Sequence, residues 1–303
     1  MTTMVALVGE QPIPNLLPAR YLKPERVVLV HTKHTEDQTR RLRNLLSDTE
    51  TQPLKIEDAY NIASIRDKIQ QEMMSSGGDF LFNLTGGTKT MVLAAYDLAR
   101  QFRSPFLYLQ TEGRRGRDQQ SVLYRYYWQD DTATLEDRIV LDQDPIRLDD
   151  YLWAHFDGYE ENSSSKEKGG ELEKAVYDAL RGCVDEIKRG VRPAGLKEQV
   201  EIDLVIRCGN QVGFIEVKSG GSGSGKHAVD QLTTAAAREL TGTYAARFLV
   251  TGETRDEQYK AIAGALNISV IELVDWHGGL RKLSDGDVQR LRQRIAERLP
   301  CRS

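Results

Sequence analysis

The chain has 303 residues, of which 40% are apolar and 28% charged, and its formal net charge is −4. That length predicts two domains, and the acidic balance excludes a protein that coats nucleic acid through a broad basic face, though not a nuclease whose bound metal supplies positive charge. No run approaches the roughly eighteen apolar residues of a membrane span.

In chain order, short apolar runs at 5–8, 27–30, 80–84 and 106–109 have the composition of buried parallel strands. Amphipathic stretches at 37–46, 62–74 and 88–102 alternate with them. This order predicts an α/β domain over 1–141, a Rossmann-like, largely parallel sheet with helices on both faces. An alternating stretch at 121–129 predicts an antiparallel addition. Residues 142–170 form the expected connecting segment, with a short helix from 149 and a flexible polar joint at 160–170. The second domain, 171–303, predicts a helix at 171–180 and strands at 187–191, 200–206 and 211–217. A helix at 230–240, a strand at 247–250, a helix at 256–266 and a strand at 268–273 follow.

The remaining features are bland by themselves. The start lacks the basic flank and cleavage site of a signal peptide. Cys183, Cys208 and Cys301 are few and far apart, fitting no zinc or disulfide pattern, so a reducing cytoplasm is expected. Arginine clusters at 114, 115 and 117, and at 290, 292, 294 and 298, are each expected to be solvated faces.

Asn83-Leu-Thr-Gly-Gly-Thr-Lys-Thr90 joins a buried strand to a helix, at the carboxyl edge of the sheet where α/β proteins bind ligands. Gly86 and Gly87 allow close backbone approach, Thr88 caps the helix, and Lys89 adds charge, a combination suited to phosphate. His31 sits at another strand end of that edge.

In the second domain, Cys208-Gly-Asn-Gln211 suits a tight hairpin turn. A two-residue turn there sets Asp203 opposite Glu216 and Glu201 opposite Lys218, all on one face. Two facing carboxylates about 5 Å apart repel; a hard divalent cation, Mn²⁺ or Mg²⁺, would compensate. Asp203 and Glu216 are therefore expected metal ligands, with Lys218 orienting or deprotonating an attacking water and Gln231 helping to position it. Because water attacks, RNA and DNA are both chemically possible substrates. Gly220-Gly-Ser-Gly-Ser-Gly-Lys226 mimics a phosphate-binding loop, but His227 stands where such loops place Ser or Thr; it is expected to be a lip beside the acidic site.

Asp203 followed by Glu216-Val-Lys218 resembles the PD-(D/E)XK nuclease signature, which implies a restriction-endonuclease-like domain. The resemblance adds an acid from the preceding helix, Glu173 after its Gly-x-x-Leu run, with Glu171 as fallback. The 83–90 loop, together with Val8-Gly-Glu-Gln-Pro-Ile-Pro-Asn15, resembles the ligand loops of CARF domains, the cyclic-oligoadenylate sensors of type III CRISPR systems. What the whole resemblance implies is an ancillary nuclease acting in antiviral defence as a homodimer, with one cyclic tetra-adenylate ring as allosteric activator. Gln11, Pro12, Asn15, His31, Thr32, Thr85, Gly86, Gly87, Thr88, Lys89 and Thr90 would contact that ring. Two other readings are a non-catalytic messenger-binding regulator and a ring nuclease that degrades the messenger itself.

Overall fold

The computed structural model describes residues 2–113, 116, 118–141, 143, 145–161, 170–194, 201–219, 245–277 and 280–301. They fall into two compact units: Met1–Glu112, Gln120–Ile146 and Trp153–His155 in one, and Gly113–Gln119, Arg147–Leu152 and Phe156–Ser303 in the other.

The first unit holds a seven-stranded sheet in the order β3-β2-β1-β4-β5-β6-β7. The strands are β1 (Thr2–Leu7), β2 (Arg26–His31), β3 (Glu50–Lys55), β4 (Asp79–Asn83), β5 (Phe106–Glu112), β6 (Gln120–Gln129) and β7 (Thr132–Val140). The first five are mutually parallel, and β6 and β7 extend them antiparallel. Helices α1 (Ile13–Leu22), α2 (Glu36–Leu45), α3 (Ile62–Ser76) and α4 (Lys89–Gln101) connect the parallel strands. Ile65, Ile69, Met91 and Leu98 of α3 and α4 pack on Val5, Leu7, Val28 and Phe82. The alternate residues Met4, Ala6 and Leu29 are just as buried, so both faces of the sheet are covered.

Three elements were not expected. β7 is polar and half exposed, while β3 is an edge strand carrying Pro53, where the missing N–H costs no ladder bond. α1 forms although it contains Pro14 and Pro18. Pro14 lies in its first turn, where no N–H is needed. Pro18 cannot donate to the Pro14 carbonyl four residues back; that carbonyl accepts instead from Asn83 Nδ2 at 2.9 Å.

The second unit carries a six-stranded sheet in the order β13-β12-β11-β10-β9-β8. Its strands are β8 (Tyr159–Glu161), β9 (Glu186–Pro193), β10 (Ile202–Cys208), β11 (Gln211–Lys218), β12 (Ala246–Thr251) and β13 (Ile268–Glu272). β8 to β11 form an antiparallel meander, and β12 and β13 add parallel to β11. The helices are α5 (Leu148–His155), of which residues 148–152 belong to this unit, α6 (Gly170–Leu180), α7 (Glu257–Ala265) and α8 (Asp285–Ala296). Leu172, Val176 and Leu180 of α6 and Leu291 and Ile295 of α8 close one face over Leu204, Ile206, Ile215 and Val217. On the other face Tyr151 of α5 stands 6.4 Å from the Phe214 ring.

Several expectations are corrected here. The expected joint begins with a strand, β8, paired to β9. The 290–298 arginines are not simply solvated: Arg292 donates twice to the Ala179 carbonyl, at 3.0 and 2.9 Å, and Arg298 donates to the Asn267 side chain at 2.9 Å. Cys208 and Cys301 are joined in a disulfide across 93 residues. Spacing along a chain carries no information about such a meeting, because folding sets it. The expected helix at 230–240, Gln231, the 220–226 loop and Arg114, Arg115 and Arg117 lie outside the described residues.

Candidate functional sites

At the carboxyl edge of the first sheet, the 83–90 loop is pressed onto β1. A Cβ on Gly86 would stand 2.2 Å from the Leu7 carbonyl oxygen, and Gly87 has φ +76° with Leu7 Cβ only 2.9 Å from its own would-be Cβ. Only glycine fits either place. Thr88 caps α4, its hydroxyl accepting from the Met91 N–H at 3.3 Å and lying 2.8 Å from the Thr90 hydroxyl. The hydroxyls of Thr88 and Thr90 both donate to the Ala59 carbonyl. This leaves the first-turn N–H groups of α4 at the edge, as every helix does, with Lys89 exposed beside them.

Several of the residues expected here are buried or hydrogen-bonded within the edge. Asn15 is 1% exposed, donates to the Leu7 carbonyl at 3.0 Å and accepts from Asn83. Pro12 is buried. His31 and Thr32 are buried too; His31 Nδ1 lies 3.1 Å from the Thr32 carbonyl, and the Thr32 N–H donates to Thr35 Oγ1 at 3.1 Å. The Thr85 hydroxyl donates to Asn83 Oδ1 at 2.7 Å and accepts from the Leu109 N–H at 2.8 Å. Asn15, Asn83 and Thr85 thus form an internal lock that shapes the edge, while Gln11, Gly86, Gly87, Thr88, Lys89 and Thr90 stay partly or fully exposed.

In the second unit the hairpin has the expected register: Cys208 pairs with Gln211 and Leu204 with Ile215. Gly209 supplies the positive φ of +57° that the turn needs. The ladder stops one residue short of Asp203 and Glu216. There the Asp203 carboxylate accepts from the Val217 N–H at 2.6 Å. Glu216 is buried, and its Oε1 lies 2.6 Å from Lys218 Nζ. The partner expected for Lys218 was Glu201, which is instead bound to Arg192, its Oε2 accepting from Arg192 Nε at 2.7 Å.

Burial, and then the Glu216 charge, push the Asp203 carboxyl well above the usual range, against the pull of the Val217 amide and Lys218. Glu216 is also raised, first by burial and then by Glu173 and Glu201, with Lys218 opposing. Burial works to lower Lys218, but Glu216 and Asp203 outweigh it and hold the amine above its ordinary value. The arrangement is a pair of acids with too much negative charge for their surroundings.

Glu173, on α6, is buried and accepts from Arg189 Nε at 2.6 Å, while its charge acts on both Asp203 and Glu216. Among the described residues no group of three or more His, Cys, Asp or Glu side chains is placed to hold a metal ion. Glu171 is exposed in the first turn of the same helix.

Two residues here escaped the sequence reading. Lys218, Thr251 and Glu272 are in register at the carboxyl ends of β11, β12 and β13. From the loop that follows β12, the Arg255 guanidinium stacks over the Tyr259 ring at 5.5 Å and the Arg255 backbone N–H donates to a Glu272 carboxylate oxygen at 2.6 Å. The Tyr259 phenol acts on Lys218 electrostatically. The usable signal was a basic residue just past a strand's carboxyl end, where α/β ligand crevices form.

Residues 3–142 match the family model of the Card1 CARF domain. The CARF match spans the first sheet and its edge loop, in agreement with the resemblance drawn from 83–90. A comparison with curated protein sequences finds no match. Solved structures share the fold over almost the whole chain. Can2 from Sulfobacillus thermosulfidooxidans, in complex with cyclic tetra-adenylate, superposes with a TM-score of 0.73 at 16% identity, covering 98% of this chain and 99% of its own. Protein VC1899 from Vibrio cholerae does so with a TM-score of 0.73 at 14% identity, covering 98% and 97%. A type III CRISPR defence DNA nuclease activated by cyclic oligoadenylate gives 0.62 at 18%, covering 95% of this chain and 51% of that longer one. At these identities the likeness concerns the fold.

Proposed function

We propose that the protein is a cyclic-oligoadenylate sensor joined to a metal-dependent nuclease of the PD-(D/E)XK kind, acting in type III CRISPR defence. The observation that carries the nuclease reading is the Asp203–Glu216–Lys218 cluster. Two acids raised by burial and by neighbouring carboxylates, beside an ammonium, are costly to keep unless charge chemistry uses them. The sensor reading is supported by the CARF match and by the exposed helix start at Thr88–Thr90, suited to a phosphate of a cyclic tetra-adenylate ring.

The donor set fits a hard divalent cation: Asp203 and Glu216 would hold Mn²⁺ or Mg²⁺, with Glu173 reaching it through water. Such an ion lowers the pKa of a bound water and neutralises charge on a phosphodiester. The chain's own residues do the rest. The Val217 amide fixes the Asp203 carboxylate, and Lys218, released from Glu216, orients the attacking water or steadies the phosphate oxygens. Arg255 and Tyr259 border the site on the side of β12 and would meet the nucleic acid strand, RNA or DNA.

A homodimer would present two sensor edges to one ring across a two-fold axis. The deciding experiment is cleavage of single-stranded RNA, single-stranded DNA and supercoiled plasmid with Mn²⁺, with and without cyclic tetra-adenylate, alongside Glu216→Gln. Ring-stimulated, chelator-sensitive cutting that the substitution removes supports the reading; equal rates with and without the ring remove the sensor's control over the nuclease.

A further inference from the structure

The three cysteines, distant in sequence, converge in the second unit. Cys208 ends β10 and is bonded to Cys301, and the free thiol Cys183 packs against the same apolar cluster. The segment after Cys183 runs directly beside Cys208: the Asp185 N–H donates to the Arg207 carbonyl at 3.0 Å, and the Gly209 N–H donates to the Asp185 carboxylate at 2.6 Å. The C-terminal segment bearing Cys301 is seated on the hairpin, with Leu299 Cδ1 2.9 Å from a would-be Cβ on Gly213 and Pro300 Cγ 3.6 Å from one on Gly209.

A cavity of about 900 Å³ opens there, and both Cys183 and Cys301 line it, with Gln289, Arg292, Gln293 and Glu297. That volume accommodates a small molecule. Cys208 is 0% exposed and Cys301 8%, so an entering nucleophile meets Cys301 Sγ first.

We propose that this cavity is a thiol-exchange site for a low-molecular-weight peptide thiol of the glutathione class. The entering thiolate attacks Cys301 Sγ and forms a mixed disulfide. The Cys208–Cys301 bond breaks, and its electron pair leaves on Cys208 Sγ, which takes up a proton. Cys183 then loses its proton to solvent and attacks Cys301 Sγ, forming a Cys183–Cys301 bridge and expelling the peptide thiolate. Each step exchanges one S–S bond for another, so no oxidant is consumed. The lining sets one cation, Arg292, among three acids, Asp118, Asp285 and Glu297, a mixed charge that suits a zwitterionic peptide carrying both an ammonium and carboxylates. Burial pushes the Cys183 thiol up, with Arg292 opposing, which makes Cys183 the slower, resolving partner.

The test uses full-length protein purified without reductant, incubated with reduced glutathione, quenched in acid, digested and mapped by mass spectrometry. The expected result is a glutathionyl adduct on Cys301 that accumulates several-fold in Cys183→Ser, where resolution is lost, and vanishes in Cys208→Ser, where there is no bridge to open. An adduct on Cys208, no adduct on the native protein, or equal accumulation with and without Cys183 would overturn the proposal. Thiol titration of denatured, unreduced protein should give one free thiol per chain; three would remove the bridge itself. If Cys183→Ser does not fold, the wild-type adduct map and the formation of a Cys183–Cys301 bridge decide. None of these readouts depends on nucleic acid cleavage.

Discussion

Lys218 Nζ lies 2.6 Å from Glu216 Oε1, an amine and an acid two residues apart on one strand face at the end of β11. Glu216 is therefore the group Lys218 must leave, wholly or in part, when a cation takes the carboxylate. Lys218→Ala should keep metal binding intact, or strengthen it, while lowering metal-dependent cleavage by about 100-fold. Isothermal titration with Mn²⁺ and single-turnover cleavage would separate the two effects. Weakened metal binding without a loss of rate would contradict the assignment.

The acids also predict a pH dependence. Asp203 and Glu216 have raised values in the folded chain, so the folded state holds protons that the unfolded chain gives up. Their contribution to stability is fully present below the ordinary carboxylate range and is lost as pH rises through the raised values. In chelator, the melting temperature should fall from mildly acidic to neutral pH. Asp203→Asn or added Mn²⁺ should flatten that fall. A curve unchanged by either would show that these acids are not under strain.

Asn83 substitutes for the N–H that Pro18 lacks, which makes a paired test possible. Asn83→Ala leaves the Pro14 carbonyl without its 2.9 Å donor and should cost roughly 1–3 kcal/mol. Adding Pro18→Ala restores a backbone donor and should recover part of the loss. Urea unfolding of the single and double variants measures the coupling; strict additivity would refute the relationship.

At the sensor edge, Lys89→Ala and Gly86→Ala should separate binding from folding. Lys89 is exposed, so its loss should weaken cyclic tetra-adenylate binding about tenfold with little change in melting. Gly86→Ala drives a methyl into the Leu7 carbonyl and should destabilise the unit by about 2 kcal/mol or more. Calorimetry with the ring and thermal melts would check both.

The arginine over Tyr259 gives a binding prediction. Arg255→Ala should raise KM for a single-stranded substrate by about tenfold while kcat holds, since a strand contact made equally in ground and transition states affects affinity alone. An unchanged KM would place the strand elsewhere.

What the chain order revealed depended on local signals. The apolar runs gave the parallel strands, and Gly209-Asn210 gave the hairpin, because a positive φ at a fixed spot is a local demand. Thr88 gave the helix cap for the same reason. α1 was hidden by Pro14 and Pro18, since its repair comes from Asn83, sixty-nine residues from Pro14. The polar β7 was hidden because only pairing with β6 justifies it. The meeting of Cys208 and Cys301, the turning of Glu173 to Arg189 and the burial of His31 are all tertiary events. No spacing rule could disclose them.

The turn between Cys208 and Gln211 holds only two residues, and this makes the site fragile to a particular kind of error. Lengthening it by one residue would keep every acid, every apolar side chain and the overall charge. Yet the downstream strand would rotate half a period, so Glu216 would enter the oily layer under α6 and Ile215 would take its place. For this protein, an in-frame insertion at a surface turn should be as damaging as deletion of a ligand.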